Sequence, residues 1–277
     1  MHSPLPTDQA DGLRRMFAAV EGVIVPIVAN PHVEHHGAIL ARLAGVFAEQ
    51  GLNTLVVDAA DTAPEPGELA FIDLGACVEP LSPRMAYLAA RGLPMQHVDT
   101  HGSCASFLPH VMNAVRGVDV VVLHAEARVL ARMLAARDLR PVLLSCAAGE
   151  SLTHAYAALK LLTQRIGLSS FDLVMPTPRT RLPSAQQIAD RLADCADRFL
   201  DVALHDWAAI DPNLALLEPA RPELLRLAAG QLGLAPTAPP LAPPTRRATV
   251  GAPSGRPTAT AATRAAARGR QGADVFA

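Results

Sequence analysis

Lysine is almost absent from this chain. Lys160 is the single example in 277 residues, and arginine supplies all other basic charge. Any chemistry that needs a lysine on phosphate must use Lys160 or fail. Long apolar runs are missing too: no stretch reaches the roughly 18 residues that a membrane-spanning helix needs. The opening residues, MHSPLPTDQADGLRRMF, are polar and acidic and have no apolar core of an export signal. Cysteines at metal or redox spacing are lacking. Cys77, Cys104, Cys146 and Cys195 form no CxxC pair, and their apolar neighbours predict reduced, buried thiols in a cytoplasmic protein. There is no excess of one charge. A net charge of −2 gives no global pull toward nucleic acid or an acidic surface.

What is present is a large apolar content, 50% of residues, enough for one sizeable core. The chain is organised around VIVPIVANPHVEHHGAILARLAGVFAEQGLNTLVVD, Val23 to Asp58. An apolar run of strand type, Val23 to Val28, leads through a loop into Gly37 to Gln50. There Ile39, Leu40, Leu43, Val46 and Phe47 recur at helical spacing. Gly51 stops the helix, and Thr54 to Val57 forms a second strand that ends on Asp58. This is a βαβ unit of a buried parallel sheet. In a nucleotide-binding protein the first loop would be rich in glycine, so that backbone N–H groups could close on phosphate. Here Ala29 to Gly37 offers one glycine, a proline and no lysine.

The rest of the chain alternates in the same way. Helices are predicted over Pro83 to Arg91, Ser103 to Arg116, Ala127 to Arg137, Ser151 to Ile166, Ser184 to Leu200 and Glu223 to Leu234. Strands are predicted over Met95 to Val98, Val118 to Leu123, Val142 to Cys146, Phe171 to Met175 and Asp201 to Leu204. Glu150 or Ser151 is the expected cap of the long helix that breaks at Gly167. On the helix from Ser184, the residues Ile188, Leu192, Cys195 and Phe199 share one face. The pattern predicts an α/β fold, a doubly wound, mostly parallel sheet flanked by helices. Residues 1–22 form a polar lead and 23–234 the α/β domain. Residues 235–277 are rich in Ala, Pro, Thr, Gly and Arg, a composition expected to stay disordered.

Three segments carry a resemblance to the MinD/ParA group of deviant-P-loop ATPases, and within it to the FlhG (FleN) proteins that control flagellar number and placement. Asp8-Gln9-Ala10-Asp11-Gly12-Leu13-Arg14 resembles the DQAxxLR motif at the FlhG N-terminus. GAILARLAGVFAEQGLNTLVVDAAD is similar to the family's first helix and second strand. Glu150 to Lys160, ESLTHAYAALK, is similar to the family's PTSLTDAYALIK segment. The likeness runs from about Asp8 to Asp211. It implies a MinD-type fold and, through Asp8, Gln9, Ala10, Leu13 and Arg14, engagement of the flagellar GTPase FlhF.

The family's ATP site is damaged at three places. Its KGGVGKT loop aligns with Pro31-His32-Val33-Glu34-His35-His36-Gly37, which loses both lysines and most glycines. Of its DxD acids Asp58 remains, Ala60 replaces the other, and Asp61 falls one position late. The acid of its DxPAG segment falls near His124. A P-loop lysine neutralises the β/γ-phosphates and its Ser or Thr ligates magnesium. Gly37 has no hydroxyl. The resemblance therefore leaves a degenerate nucleotide site at His36, Gly37 and Asp58, with Asp58 as the one weak catalytic candidate. No cofactor is expected; ATP and magnesium enter only if the damaged site still works.

Other readings compete. His32 and His36, at i and i+4, could share a metal if the helix began early, but Pro31 and a missing further ligand favour an exposed relic of the loop. Asp99-Thr100-His101-Gly102-Ser103-Cys104 holds a nucleophile, a histidine and an acid in one turn. Triads are assembled by folds rather than by neighbours, so a turn with Ser103 as helix cap is preferred. The last helix and the arginines of the tail give at most weak attraction to a membrane, and no specific nucleic-acid contact.

The expectation is an FlhG-like regulator acting through protein contacts, with ATPase activity lost or weak. It would be cytoplasmic, or peripheral at the inner membrane or cell pole. Its partners would be an FlhF-like GTPase and a transcriptional activator or basal-body protein, and it could form a homodimer. The alternatives are a divergent, active MinD/ParA-type ATPase that uses Asp58 with Arg42, His35 or His36, and an accessory protein of another envelope system such as cellulose secretion.

Overall fold

The computed structural model describes residues 22–135, 137, 139–178, 181–214 and 219–234. The Asp8–Arg14 motif and the tail from residue 235 lie outside them. Val23–Val28 (β1) is buried at five of its six positions, as its continuous aliphatic sequence requires. It lies between β5 (Val120–Ala125) and β6 (Val142–Leu144), parallel to both. β2 (Thr54–Asp58) pairs on the far side of β5. One eight-stranded sheet runs in the order β3-β4-β2-β5-β1-β6-β7-β8. All its pairings are parallel except that of β3 (Glu79–Ser82) with β4 (Met85–Ala89). Helices cover both faces, so the sheet is doubly wound.

α1 (His36–Glu49) buries Ile39, Leu40, Leu43, Val46 and Phe47 against one face, and α7 (Pro222–Gln231) joins it there through Leu224, Leu227 and Ala228. The other face carries α3 (Phe107–Ala114), α4 (Ala127–Met133), α5 (Gly149–Ile166) and α6 (Leu182–Leu200). α5 ends at Gly167, whose φ of 74° is the left-handed conformation that glycine adopts without cost. β7 (Ser170–Pro176) and β8 (Ala203–Ile210) complete the sheet. Among the described residues no helix is long and apolar enough to cross a membrane.

Several local expectations are corrected. The segment read as a helix from Pro83 to Arg91 is strand β4, paired with β2 from Thr54–Met85 to Asp58–Ala89. Its alanines and leucine suit a helix, but a parallel neighbour captures the backbone. Of Met95 to Val98, read as a strand, Met95 and Gln96 end a short helical turn, α2 (Leu93–Gln96), entered through Gly92 with Pro94 in its first turn, and His97 and Val98 follow it outside any strand. Edge strand β3 has four exposed residues and gave no apolar signal. The last strand is eight residues long and begins at Ala203. On α6 the buried side is Ala185, Ala189, Leu192, Ala193 and Ala196, while Phe199 is 67% exposed and Cys195 also faces out. Four alanines and Leu192 make up that side, with Ile188 packed partly buried beside them. Only Cys104 of the four thiols is buried.

Candidate functional site

β1 has β5 on one side and β6 on the other, so the chain's winding reverses there. In open α/β sheets the crevice at the carboxyl ends of such strands is where ligands bind. Four loops meet at that edge: Ala29 to His35, Ala59 to Asp61, the Glu126 turn, and Ser145 to Ala148.

The first loop is anchored by a residue that the sequence reading passed over. Asn30 is buried, and its amide nitrogen donates to the Leu144 carbonyl (2.9 Å) and to the carbonyl and hydroxyl of Ser151 (both 3.0 Å). Its side-chain oxygen accepts the His32 N–H at 3.1 Å. Ser151 in turn accepts the Cys146 N–H at 2.9 Å. Ser151 therefore ties off β6 and the loop; Ala148 occupies the cap position of α5, in place of the expected Glu150 or Ser151. One signal for Asn30 was available: a lone amide closing an apolar strand needs buried partners.

The loop does not form a cradle. His35 has a left-handed backbone (φ 56°), unusual for a residue with a side chain, and α1 begins only at His36. Gly37 is exposed, and a Cβ there would meet nothing within 4 Å. No close backbone approach requires a glycine.

Asp58, at the end of β2, is 3% exposed and fully engaged. Its Oδ1 lies 2.7 Å from His124 Nδ1 and accepts the Ala60 N–H at 3.4 Å. Its Oδ2 accepts the Tyr87 hydroxyl at 3.3 Å. Because a carboxylate only accepts, the imidazole proton sits on Nδ1. His124 is 1% exposed, and its Nε2 is buried without a partner. The His36 ring stacks over it at 5.6 Å. Burial, and then the neighbouring His124, hold the His36 imidazole below its usual range, with Asp58 opposing. Burial and Asp58 push the Tyr87 phenol up. The expected site residues His36 and Asp58 are thus brought together with His124 and Tyr87, while Gly37 stays outside.

The replacement cations fare poorly. Arg42 is buried on α1 and paired with Glu49 at 2.8 Å. Lys160 is exposed on α5, roughly three turns from the start of the helix. His32 faces Glu150 at 3.4 Å while His36 lies on His124, so the two do not share a helical face. Among the described residues no three His, Cys, Asp or Glu side chains are grouped to hold a metal ion. Asp61 is exposed and paired with Arg128 at 2.8 Å. The residues present do not fit ATP and magnesium: the acid is occupied, the loop has no cradle, and no lysine reaches it.

Asp99 to Cys104 is a turn and not a triad. Asp99 Oδ1 accepts the N–H groups of His101 and Ser103, both at 2.9 Å, and the Ser103 hydroxyl donates to the Arg132 carbonyl at 3.2 Å. Ser103 also accepts the Ala105 N–H at 3.2 Å. α3 starts later than predicted, after Ser106.

No family model matches the chain, and no curated protein sequence does. Solved structures do match. The cell division protein MinD of Aquifex aeolicus superposes with a TM-score of 0.52 at 9% identity, over 78% of this chain and 99% of that one. A plasmid partition protein of Borrelia burgdorferi B31 bound to AMPPNP gives 0.52 at 9% identity, over 77% and 97%. Cobyrinic acid a,c-diamide synthase of Mycobacterium smegmatis gives 0.52 at 18% identity, over 79% and 99%. The chain has the fold of the MinD/ParA P-loop ATPases. At these identities the likeness is one of fold, and the MinD-type scaffold here carries an Asp58–His124 contact at its switch point.

Proposed function

We propose that this chain is an FlhG-like regulator of flagellar biosynthesis that keeps the MinD scaffold, has given up efficient use of ATP and works through protein contacts. The observation that carries the loss of ATPase activity is the buried Asp58–His124 pair, sealed by Tyr87 and His36. The flagellar part rests on the resemblance of Asp8 to Arg14 to the FlhG motif that engages FlhF. In this reading the protein is cytoplasmic and that segment meets an FlhF-like GTPase. Other surfaces meet a transcriptional activator or basal-body component. α7 buries its apolar side on the sheet, which favours a structural over a membrane role for this helix.

Calorimetric titration of ATP–magnesium and ADP–magnesium into the purified protein tests the first half. The expected result is no heat and no thermal shift at millimolar nucleotide, since a ligand that binds the folded state raises stability by mass action. Micromolar binding would sink it and would favour the second reading, a divergent ATPase on the fold shared with the AMPPNP-bound partition protein. Pull-down of an FlhF-like GTPase with the full chain, but not with a chain lacking residues 1–20, is the expected result for the second half. Equal recovery with both chains, or none with either, would redirect attention to another envelope system.

A further inference from the structure

The segment between β2 and β3 turns two apolar residues inward and leaves three outside. Ala70 and Leu74 are buried in the core cluster that holds Phe107, Leu108 and Val111 of α3. Around them, on and just after the 3-10 turn Glu68–Phe71, the side chains of Leu69, Phe71 and Ile72 are 59%, 60% and 85% exposed. Ile72 is the most exposed large apolar residue among the described residues. Single exposed apolar side chains are ordinary, but three within four positions form a patch of the kind that marks a contact surface. Glu68 and Asp73 flank it, both exposed and neither in an ion pair among the described residues.

The described chain begins beside this patch. A Cβ on Gly22 would lie 2.8 Å from Met112 Cε and 3.0 Å from the Val118 carbonyl oxygen, so Gly22 is pressed against α3 and the turn that follows it. Gly75 is pressed against the same end of α3, where a Cβ would lie 3.0 Å from the Ala114 carbonyl oxygen. Three residues of chain span at most about 11 Å, so Ile72 stays within that distance of Gly75. The sequence before Gly22 has matching chemistry. Leu13, Met16, Phe17 and Val20 recur at i, i+3, i+4 and i+7, with Arg14 and Arg15 among them. As a helix these residues would be about 12 Å long. The tail offers only Leu241, Val250, Val275 and Phe276 as large apolar residues, at no such spacing.

We infer that residues 13–20 dock on this patch of their own chain. Leu13, Met16, Phe17 and Val20 cover Leu69, Phe71 and Ile72, and Arg14 and Arg15 lie toward Glu68 and Asp73. Removal of apolar surface from water drives the docking, while the exposed ion pairs add little and set the orientation. Leu13 and Arg14 also belong to the segment proposed to meet an FlhF-like GTPase, so the docked state competes with that partner. The docking itself does not rest on that reading.

The test is amide hydrogen exchange on the full-length chain, read by mass spectrometry at two widely separated protein concentrations. At both, residues 13–20 are expected to exchange at least about tenfold more slowly than an unstructured chain. The paired change Phe71→Ser and Ile72→Ser falls on exposed positions and should leave the fold intact, which unchanged exchange in β1 and β5 would verify. It should return residues 13–20 to the unprotected rate. Phe17→Ser should do the same and also speed exchange from Leu69 to Asp73. Unprotected rates for residues 13–20 in the parent chain overturn the proposal. So does protection that survives the paired change, which would mark a helix formed without the patch. Protection that is lost on dilution also overturns it, since the occupant would then be a second copy.

Discussion

Two buried carboxylates sit at opposite edges of the sheet, and they are built differently. Asp58 closes β2 at the carboxyl edge. Its partners are an imidazole, a phenol and a single long N–H bond, and the imidazole's far nitrogen is left without a partner. Asp172 lies near the amino end of β7 and is fully enclosed. Its Oδ2 accepts Arg140 Nε at 2.9 Å and Gln231 Nε2 at 2.8 Å, and its Oδ1 accepts the Asp206 N–H at 3.0 Å. Asp206 in turn accepts two bonds from one edge of the Arg226 guanidinium, from Nε at 2.8 Å and from Nη2 at 2.6 Å. Gln231 and Arg226 both come from α7. The Asp172 network therefore clasps the last helix to the sheet with every acceptor occupied. The Asp58 network stays within the sheet, joining β2 to His124 of β5 and Tyr87 of β4, and leaves the His124 Nε2 unused.

The largest effect is expected at Asp172. Asp172→Ala strips Arg140 and Gln231 of their acceptor, and breaking a buried pair of this kind costs about 3 kcal/mol or more. Urea denaturation would show it as a lower midpoint, with α7 losing amide protection before the rest of the sheet. The pH dependence sharpens the point. Burial pushes the Asp172 carboxyl up from 3.8 to about 6, against the pull of Arg140. The folded state thus binds its proton more readily than the unfolded state does. That contribution is fully present below pH 3.8 and is lost as pH rises through about 6. Asp172→Asn cannot titrate, so the stability of the parent relative to this variant should fall between pH 4 and 6, by roughly 3 kcal/mol in total. Comparing the two chains cancels the other carboxylates. A flat difference would mean that Arg140 offsets the burial completely.

A smaller loss is expected at the other edge. Asp58→Ala frees the Tyr87 hydroxyl and His124 Nδ1, and leaving buried donors unmatched costs about 1–3 kcal/mol. If Asp58→Ala proved as damaging as Asp172→Ala, the carboxyl edge would be as architectural as the amino edge, and the contrast between them would fail.

The core of the fold was legible because its signals are local and redundant. β1, α1 and β2 each carry a continuous or periodic apolar pattern, and their burial largely follows it, with Arg42, Thr54 and Asp58 buried in addition. β4 was not legible: Met85 to Ala89 has the composition of a helix, and only pairing with β2 and β3 makes it a strand. At the site, the scarcity of lysine and glycine could be read directly from the loop. The Asp58–His124 contact could not, since 66 residues separate the partners and only the sheet register sets Asp58 against His124. Asn30 was hidden for the same reason, its partners lying more than a hundred residues away.

Gly37 gives the smallest effect and a direct test of whether the loop after β1 works as a phosphate cradle. In a phosphate-cradling loop a glycine lets the backbone approach its ligand, and a methyl group there would be in the way. Here Gly37 is in the first turn of α1 with open space around it and an ordinary backbone conformation. Alanine is the better helix former and restricts the unfolded chain, so Gly37→Ala should leave stability unchanged or raise it by about 0.5 kcal/mol. Thermal melts of the two chains in parallel would resolve the sign. A loss of more than about 1 kcal/mol would show that the loop still folds against its helix as a working phosphate loop does. The carboxyl edge could then no longer be regarded as the relaxed counterpart of the Asp172 clasp.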